Sequence, residues 1–138
     1  MGEIIYFFTM HPLLSLALIA SLLLVLMYEV NQRSLNLNSI TAQQAVILMN
    51  KNAKIFDLRS SDAFSKGFIS GAKNSPSSID NNDPKINKLK ERSIILVCNT
   101  GISAAKEATR LNKEGFKQVY VLKGGMAEWE SQRLPVEK

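Results

Sequence analysis

Hydrophobic positions follow two regimes along this chain. From Pro12 to Tyr28 the sequence PLLSLALIASLLLVLMY carries no charge, and the apolar stretch Ile4 to Phe8 lengthens it beyond His11. At ~1.5 Å per residue, a helix from Ile4 to Tyr28 is long enough to cross a hydrocarbon core of ~30 Å. Between Leu13 and Met27 there is no polar stripe, which a buried helix of a soluble domain would show. No basic n-region precedes the run, Glu3 sits where positive charge would be wanted, and no A-x-A site follows it. A retained anchor is therefore expected rather than a cleaved signal peptide. Residues 1–30 are assigned to this transmembrane anchor, with membrane contact over residues 4–28, His11 at headgroup level and Pro12 in the first turn.

After Glu29 the pattern changes. EVNQRSLNLNSI is rich in Asn, Ser and Gln and predicts a polar linker over residues 31–39, followed by a globular domain over residues 40–138. Thr41 with Gln44 forms a capping-box pattern ahead of Ala45, Val46, Leu48 and Met49, which predicts an amphipathic helix. Lys54 to Leu58 reads as a short strand ending around Asp57 and Arg59. Ser61 to Ser65 reads as one helical turn stopped by Gly67, and FISGAKNSP as a tight turn with a brief extended piece before Pro76. Asp83 and Pro84 supply a cap and first helical position for DPKINKLK. SIILV, Ser93 to Val97, is the most apolar strand. Ala105, Ala108 and Leu111 recur at helical spacing within Ala104 to Glu114, and Gly115 follows as a stop. Gln118 to Leu122 predicts another strand, KGG a turn, and Met126 to Gln132 a last helix carrying Trp129. Strands alternating with helices predict an α/β domain with a central parallel sheet.

Composition narrows this picture. With 138 residues, 46% hydrophobic and 21% charged, one core is expected. A single cysteine excludes an internal disulfide and favours a reducing compartment. All 17 Lys and Arg residues lie at or after Arg33, and the net charge is +5. These basic residues are scattered singly, without an Arg-rich block or interleaved aromatics, so no nucleic-acid partner is expected. A surface adapted to an anionic membrane fits better. Arg33, Lys51 and Lys54 follow the apolar helix, whereas only the amino group, opposed by Glu3, precedes it, so the domain is expected to face the cytoplasm.

The candidate chemistry centres on Cys98, which directly follows SIILV, where ligands of open parallel sheets bind. Asn99, Thr100, Gly101, Ile102 and Ser103 lead from it into a helix whose first N–H groups lack partners and carry positive potential. With Gly101 able to take a positive φ, these N–H groups could converge on a thiolate or sulfane anion. A small buried hydrophobe is the competing reading of the same cysteine. His11 belongs to the membrane segment, so the domain offers no Cys–His dyad. A lone cysteine makes no zinc site, and neither a metal nor a cofactor is expected.

Three blocks in order, FDLRSSDAFSKGFISGAKNSP, LVCNTGISAA and GFKQVYVLKGGMAEW, resemble the rhodanese-like sulfurtransferase family from about Ile40 to Leu134. The leader, with HPLLSLALIA, is similar to that of bacterial membrane-anchored single-domain members. The resemblance implies a rhodanese-like fold and a Cys98 that takes a sulfane sulfur from thiosulfate or a protein persulfide. The persulfide would be held by Asn99 to Ser103 and passed to a thiol or other nucleophile. It gives Asp57 and Arg59 a structural supporting role and Trp129 a place in the core. Its setting would be the bacterial inner membrane, as a single-pass protein, with a membrane-protein partner as a further candidate. Two positions depart from the family pattern: Phe68 replaces a frequent His, and no Lys or Arg lies between Cys98 and Ser103. Lys106, one turn on, is read as a solvated side chain. Two alternatives stand beside sulfur transfer. A C-x5-R phosphatase loop would need Arg where Ala104 stands, and a noncatalytic docking module for a membrane-protein complex would use the fold alone.

Overall fold

The computed structural model describes residues 10–36 and 38–138. The chain divides into two units, residues 1–34 and 35–138. Helix α1 spans Pro12–Asn36, all but its last two residues in the first unit, about 37 Å at ~1.5 Å per residue. Its Pro12–Glu29 portion is long and apolar enough to cross a membrane, with mean hydropathy 2.0. Leucines such as Leu13 and Leu24 stand exposed along it. Two of its serines turn their hydroxyls back onto the helix: Ser15 Oγ donates to His11 O at 2.9 Å and Ser21 Oγ to Leu18 O at 2.8 Å. Such internal bonding suits a medium without water. The Ile4 to Phe8 extension of the apolar run lies outside the described residues.

One expectation is corrected here. The helix does not give way to a connector after residue 30 but runs to Asn36, and Ser39, the last residue of the expected linker, joins Ile40 to form strand β1, Ser39–Ile40. Between Met27 and Asn36 there is neither Gly nor Pro, and Glu29, Gln32, Arg33 and Leu35 are good helix formers, so nothing local ends the helix earlier.

In the second unit α2 spans Ala42–Asn50, β2 Lys54–Asp57, α3 Ser61–Lys66, β3 Ala72–Asn74 and α4 Pro84–Asn87. Then come β4 at Ser93–Val97, α5 at Ile102–Lys113, β5 at Gln118–Leu122 and α6 at Gly125–Ser131. The five strands form one sheet in the order β1-β5-β4-β2-β3, with every pairing parallel. The central strand β4 pairs with both β2 and β5 and is buried from Ile94 to Val97, as a strand covered on both faces must be.

Side chains alternate across the sheet and build two cores. Ile94 and Leu96 face Ile86 of α4 and Ala104, Ala108 and Leu111 of α5. Ile95 and Val97 face Ala42 and Ala45 of α2 and Met126 and Trp129 of α6. Each fully buried Ile or Leu contributes about 1.5–3 kcal/mol. Trp129 also finds a partner for its indole N–H, donating to Pro135 O at 3.1 Å.

Local signals place the helix starts. The capping box is present: Thr41 Oγ1 accepts from Gln44 N at 3.3 Å, and Gln44 Oε1 accepts from Thr41 N at 2.9 Å. Asp83 caps α4, accepting from Lys85 N at 2.8 Å, although the helix stops at Asn87 rather than continuing through Lys90. Helix α5 begins at Ile102, two residues before its expected start, so Ile102 and Ser103 belong to its first turn.

Candidate active site

Strands β2 and β4 carry the candidate residues to their carboxyl ends in register, Asp57 opposite Val97, with Leu58 N donating to Val97 O at 2.8 Å. Cys98 follows Val97 and is 5% exposed. Its Sγ accepts the N–H of Gly101 at 3.0 Å and that of Ala104 at 3.5 Å. Among the described residues these are the donors to sulfur. The cradle is thus narrower than the expected ring of N–H groups over Asn99 to Ser103. It draws one donor from that set and one from Ala104, in the first turn of α5. Asn99, Thr100, Ile102 and Ser103 form the exposed rim. Gly101 sits at φ +93°, a left-handed conformation that favours glycine and turns its N–H toward the sulfur.

The loop is held from behind by the start of the helix expected from Met126, just past the KGG turn. Met126 N donates to Cys98 O at 2.9 Å and Ala127 N to Asn99 O at 3.1 Å, so the free N–H groups at the start of α6 anchor two loop carbonyls. A trans peptide is planar, with its C=O and N–H pointing opposite ways, so these bonds also fix the N–H groups of Asn99 and Thr100. The approach leaves no room for a side chain: a Cβ on Gly125 would lie 2.2 Å from Cys98 O and 2.6 Å from Asn99 O. The double glycine of KGGM was the available signal, since backbone contact this close requires one.

Asp57 and Arg59 do not touch the sulfur. Both are buried, and they form a forked pair: Arg59 Nε donates to Asp57 Oδ1 at 3.0 Å and Nη2 to Oδ2 at 2.7 Å. Nη2 also donates to Gly67 O at 2.7 Å, and the backbone N–H of Arg59 donates to Asp57 Oδ1 at 3.0 Å. Asn74 Nδ2 closes the turn on Asp57 O and Arg59 O at 3.1 and 2.9 Å. Both charges are consumed in bracing the turn after β2. Phe68 stacks on Phe64 at 4.2 Å between ring centroids and stands in packing rather than in the site.

A second buried acid lies on α5. Glu107 Oε1 accepts from Ile79 N at 2.8 Å and from Arg110 Nη2 at 2.6 Å, while Arg110 Nη2 donates to Ile79 O at 2.8 Å. Burial pushes the Glu107 carboxyl up, but its hydrogen bond from Arg110, the Ile79 N–H and the guanidinium charge together outweigh burial and hold it below the usual carboxylate range. The pair grips both sides of Ile79 and ties the segment after β3 to the helix that begins at the Cys98 loop. Its sequence signal was present: Glu107 falls on the same helical face as Ala104, Ala108 and Leu111, where a charge needs a partner.

A thiol at a strand end, two N–H donors on its sulfur, a left-handed glycine and a helix start define a site able to stabilise an anionic sulfur. Among the described residues no cluster of His, Cys, Asp or Glu could hold a metal. This fold is that of the rhodanese-like domain family, whose profile matches residues 41–132, and the chain belongs to that family. It is 40% identical over 139 residues to the uncharacterized protein YibN of Escherichia coli strain K12, covering 99% of this chain and 97% of that protein. It is 34% identical over 83 residues to thiosulfate sulfurtransferase GlpE of Shewanella oneidensis, covering 57% of this chain and 77% of that protein. In fold it is similar to the crystal structure of a rhodanese-related protein from Thermoplasma volcanium. There the TM-score is 0.63 at 21% identity, over 72% of this chain and 97% of that one.

Proposed function

We propose that this protein is a membrane-anchored sulfurtransferase or persulfide carrier of the bacterial inner membrane, with its domain facing the cytoplasm and Cys98 as the sulfur-bearing residue. The observation that carries the reading is the pair of N–H groups, from Gly101 and Ala104, on Cys98 Sγ. Backbone N–H groups are suited to an anionic sulfur because they need no proton transfer and cannot be titrated away. In loading, the Cys98 thiolate attacks the outer sulfur of a sulfane donor. The new S–S bond forms as the donor's own bond breaks, and the donor's remainder leaves as an anion, a thiolate or, from thiosulfate, sulfite. In delivery, an acceptor thiolate attacks the outer sulfur of the persulfide, and the Cys98 thiolate is released.

The rim favours a protein persulfide over free thiosulfate as donor. Asn99 to Ser103 offers no cation for a sulfonate, whereas a protein donor needs none there and can meet the exposed rim, Ile102 included, over a wider surface. Anchoring rests on α1, and the cytoplasmic orientation on Arg33, Lys51 and Lys54 after it. To test the function, the full chain in detergent is incubated with thiosulfate and separately with a protein persulfide, and intact mass is recorded. One added sulfur is expected, faster from the protein donor, and none on Cys98→Ser. If no donor loads the native chain, sulfur transfer is wrong, and the fold serves as a docking module for a membrane-protein complex.

A further inference from the structure

The sheet has two poles, and the one opposite Cys98 carries a concentration of basic side chains that sulfur chemistry does not use. Because all strands are parallel, their first residues gather at one end, with Lys54 opposite Ile94 and Ser93 opposite Gln118. Lys54 opens β2, Arg92 directly precedes β4 and Lys117 directly precedes β5. Lys51 caps the end of α2, Lys113 ends α5, and Lys90 is fixed alongside by a bond from Lys117 N to its carbonyl at 3.0 Å. The acids among them are engaged: Glu91 pairs with Lys117 at 2.9 Å, and Glu114 pairs with Arg110 at 2.7 Å. Among the described residues, Lys51, Lys54, Arg92 and Lys113 have no ion-pair partner, and all are exposed.

Lys51, Asn52, Arg92 and Ser93, with Glu91 and Gln118, line a hollow of about 330 Å³ at this pole. Ser93 Oγ donates to Gln118 Oε1 at 2.6 Å, and the two cations without ion-pair partners, Lys51 and Arg92, beside the side-chain amides of Asn52 and Gln118 suit a phosphate group. The same chain carries a helix apolar enough to cross a membrane, which places the domain at high local concentration over a leaflet. Each basic side chain close to an anionic leaflet favours contact by roughly fivefold.

From this we infer that the amino-terminal pole of the sheet is a docking surface for anionic phospholipid headgroups. Seated this way, the domain turns the opposite pole, with Cys98, toward the cytoplasm and its donors. The inference rests on the anchored reading above, and its test separates the two.

The full chain is mixed with vesicles of phosphatidylcholine alone or with phosphatidylglycerol, floated, and labelled on lysines with an acetylating reagent, followed by peptide mass spectrometry. Flotation with both vesicle types at high salt reports insertion of α1. Acetylation of Lys51, Lys54 and Lys113 is expected to slow by about fivefold on the anionic vesicles. Salt at several times the physiological level should restore it, while Lys106 and Lys123, outside the patch, remain unchanged. Flotation only with anionic vesicles at low salt, with the same protection, supports the docking surface and overturns the anchor. Equal labelling on both vesicle types, protection of Lys106 and Lys123 instead, or stronger protection by duplex DNA than by anionic vesicles overturns the docking surface. A Lys51→Glu, Lys54→Glu, Lys113→Glu chain should lose the lipid-dependent protection of Lys117 while still loading sulfur on Cys98, and retained protection counts against the proposal.

Discussion

Strands β2 and β4 are neighbours in register and end at the same pole of the sheet, yet they finish in opposite ways. After β2, two full charges, Asp57 and Arg59, are buried and spent on each other and on the carbonyl of Gly67. After β4 there is no charged side chain from Cys98 to Ser103, only a sulfur with two backbone N–H groups on it. A turn closed by a forked ion pair has its polar groups satisfied and nothing left to offer a ligand. A turn closed by main-chain donors can serve whatever anion forms on the sulfur. The difference separates a brace from a site with donors left for a ligand, although both are polar ends of adjacent buried strands.

That comparison breaks most sharply at Cys98. Cys98→Ser is expected to abolish sulfur loading entirely, read by intact mass, while costing within about 1 kcal/mol of stability in urea unfolding, because the cysteine's backbone contacts survive. Arg59→Met should do the reverse. It leaves the Asp57 carboxylate buried without its partner, so a loss of about 3–5 kcal/mol is expected in the same unfolding measurement, with loading intact in the folded fraction. If Arg59→Met folded normally but failed to load, the brace would be part of the chemistry.

Gly125→Ala tests whether α6 shapes the Cys98 loop. Its Cβ would meet the carbonyl oxygens of Cys98 and Asn99 at 2.2 and 2.6 Å, from a backbone at φ +58°. A cost of about 3 kcal/mol is expected from overpacking and left-handed strain together, with slower sulfur loading than its loss of folded protein explains. Loading at the native rate per folded molecule would show that the cradle does not depend on α6.

The smallest effect is expected at Glu107. Glu107→Gln keeps an acceptor for Ile79 N but loses the charge beside the partly exposed Arg110, for about 1 kcal/mol. The native carboxyl is held low in the folded state, so the unfolded chain takes up the proton first as pH falls. Its contribution is therefore fully present above the ordinary glutamate range and is lost on acidification through the lowered value. Urea midpoints of native and Glu107→Gln chains should differ by a constant amount from about pH 8 to about pH 5, and converge only below about pH 4. A gap that closed above pH 5 would contradict the assignment.

Much of the scaffold was legible because it follows from local rules. Thr41 and Gln44 announced a capping box, SIILV the most apolar strand, and Gly115 the end of α5, each through residues a few positions apart. Where a local signal was absent, the reading stopped short. Helix α1 outruns its apolar stretch because polar helix formers continue it, and β1, only Ser39–Ile40, exists because β5 offers it an edge. For Glu107 the helical face signals a buried charge, but its partner, the backbone of Ile79, lies 28 residues away in sequence, where no local rule reaches.

The sequence alone determined the alternation that makes a parallel sheet, the position of Cys98 at a strand end, the glycine that lets its loop curl, and the apolar helix ahead of the domain. Tertiary structure decided which N–H groups reach the sulfur, because that depends on α6 seizing the carbonyls of Cys98 and Asn99, each from 28 residues further along the chain. It also decided that Asp57 and Arg59 are spent on each other while, among the described residues, Lys51, Lys54, Arg92 and Lys113 at the amino-terminal pole have no ion-pair partner. Charges scattered singly along a sequence become a patch or a pair only when parallel strands bring their ends together.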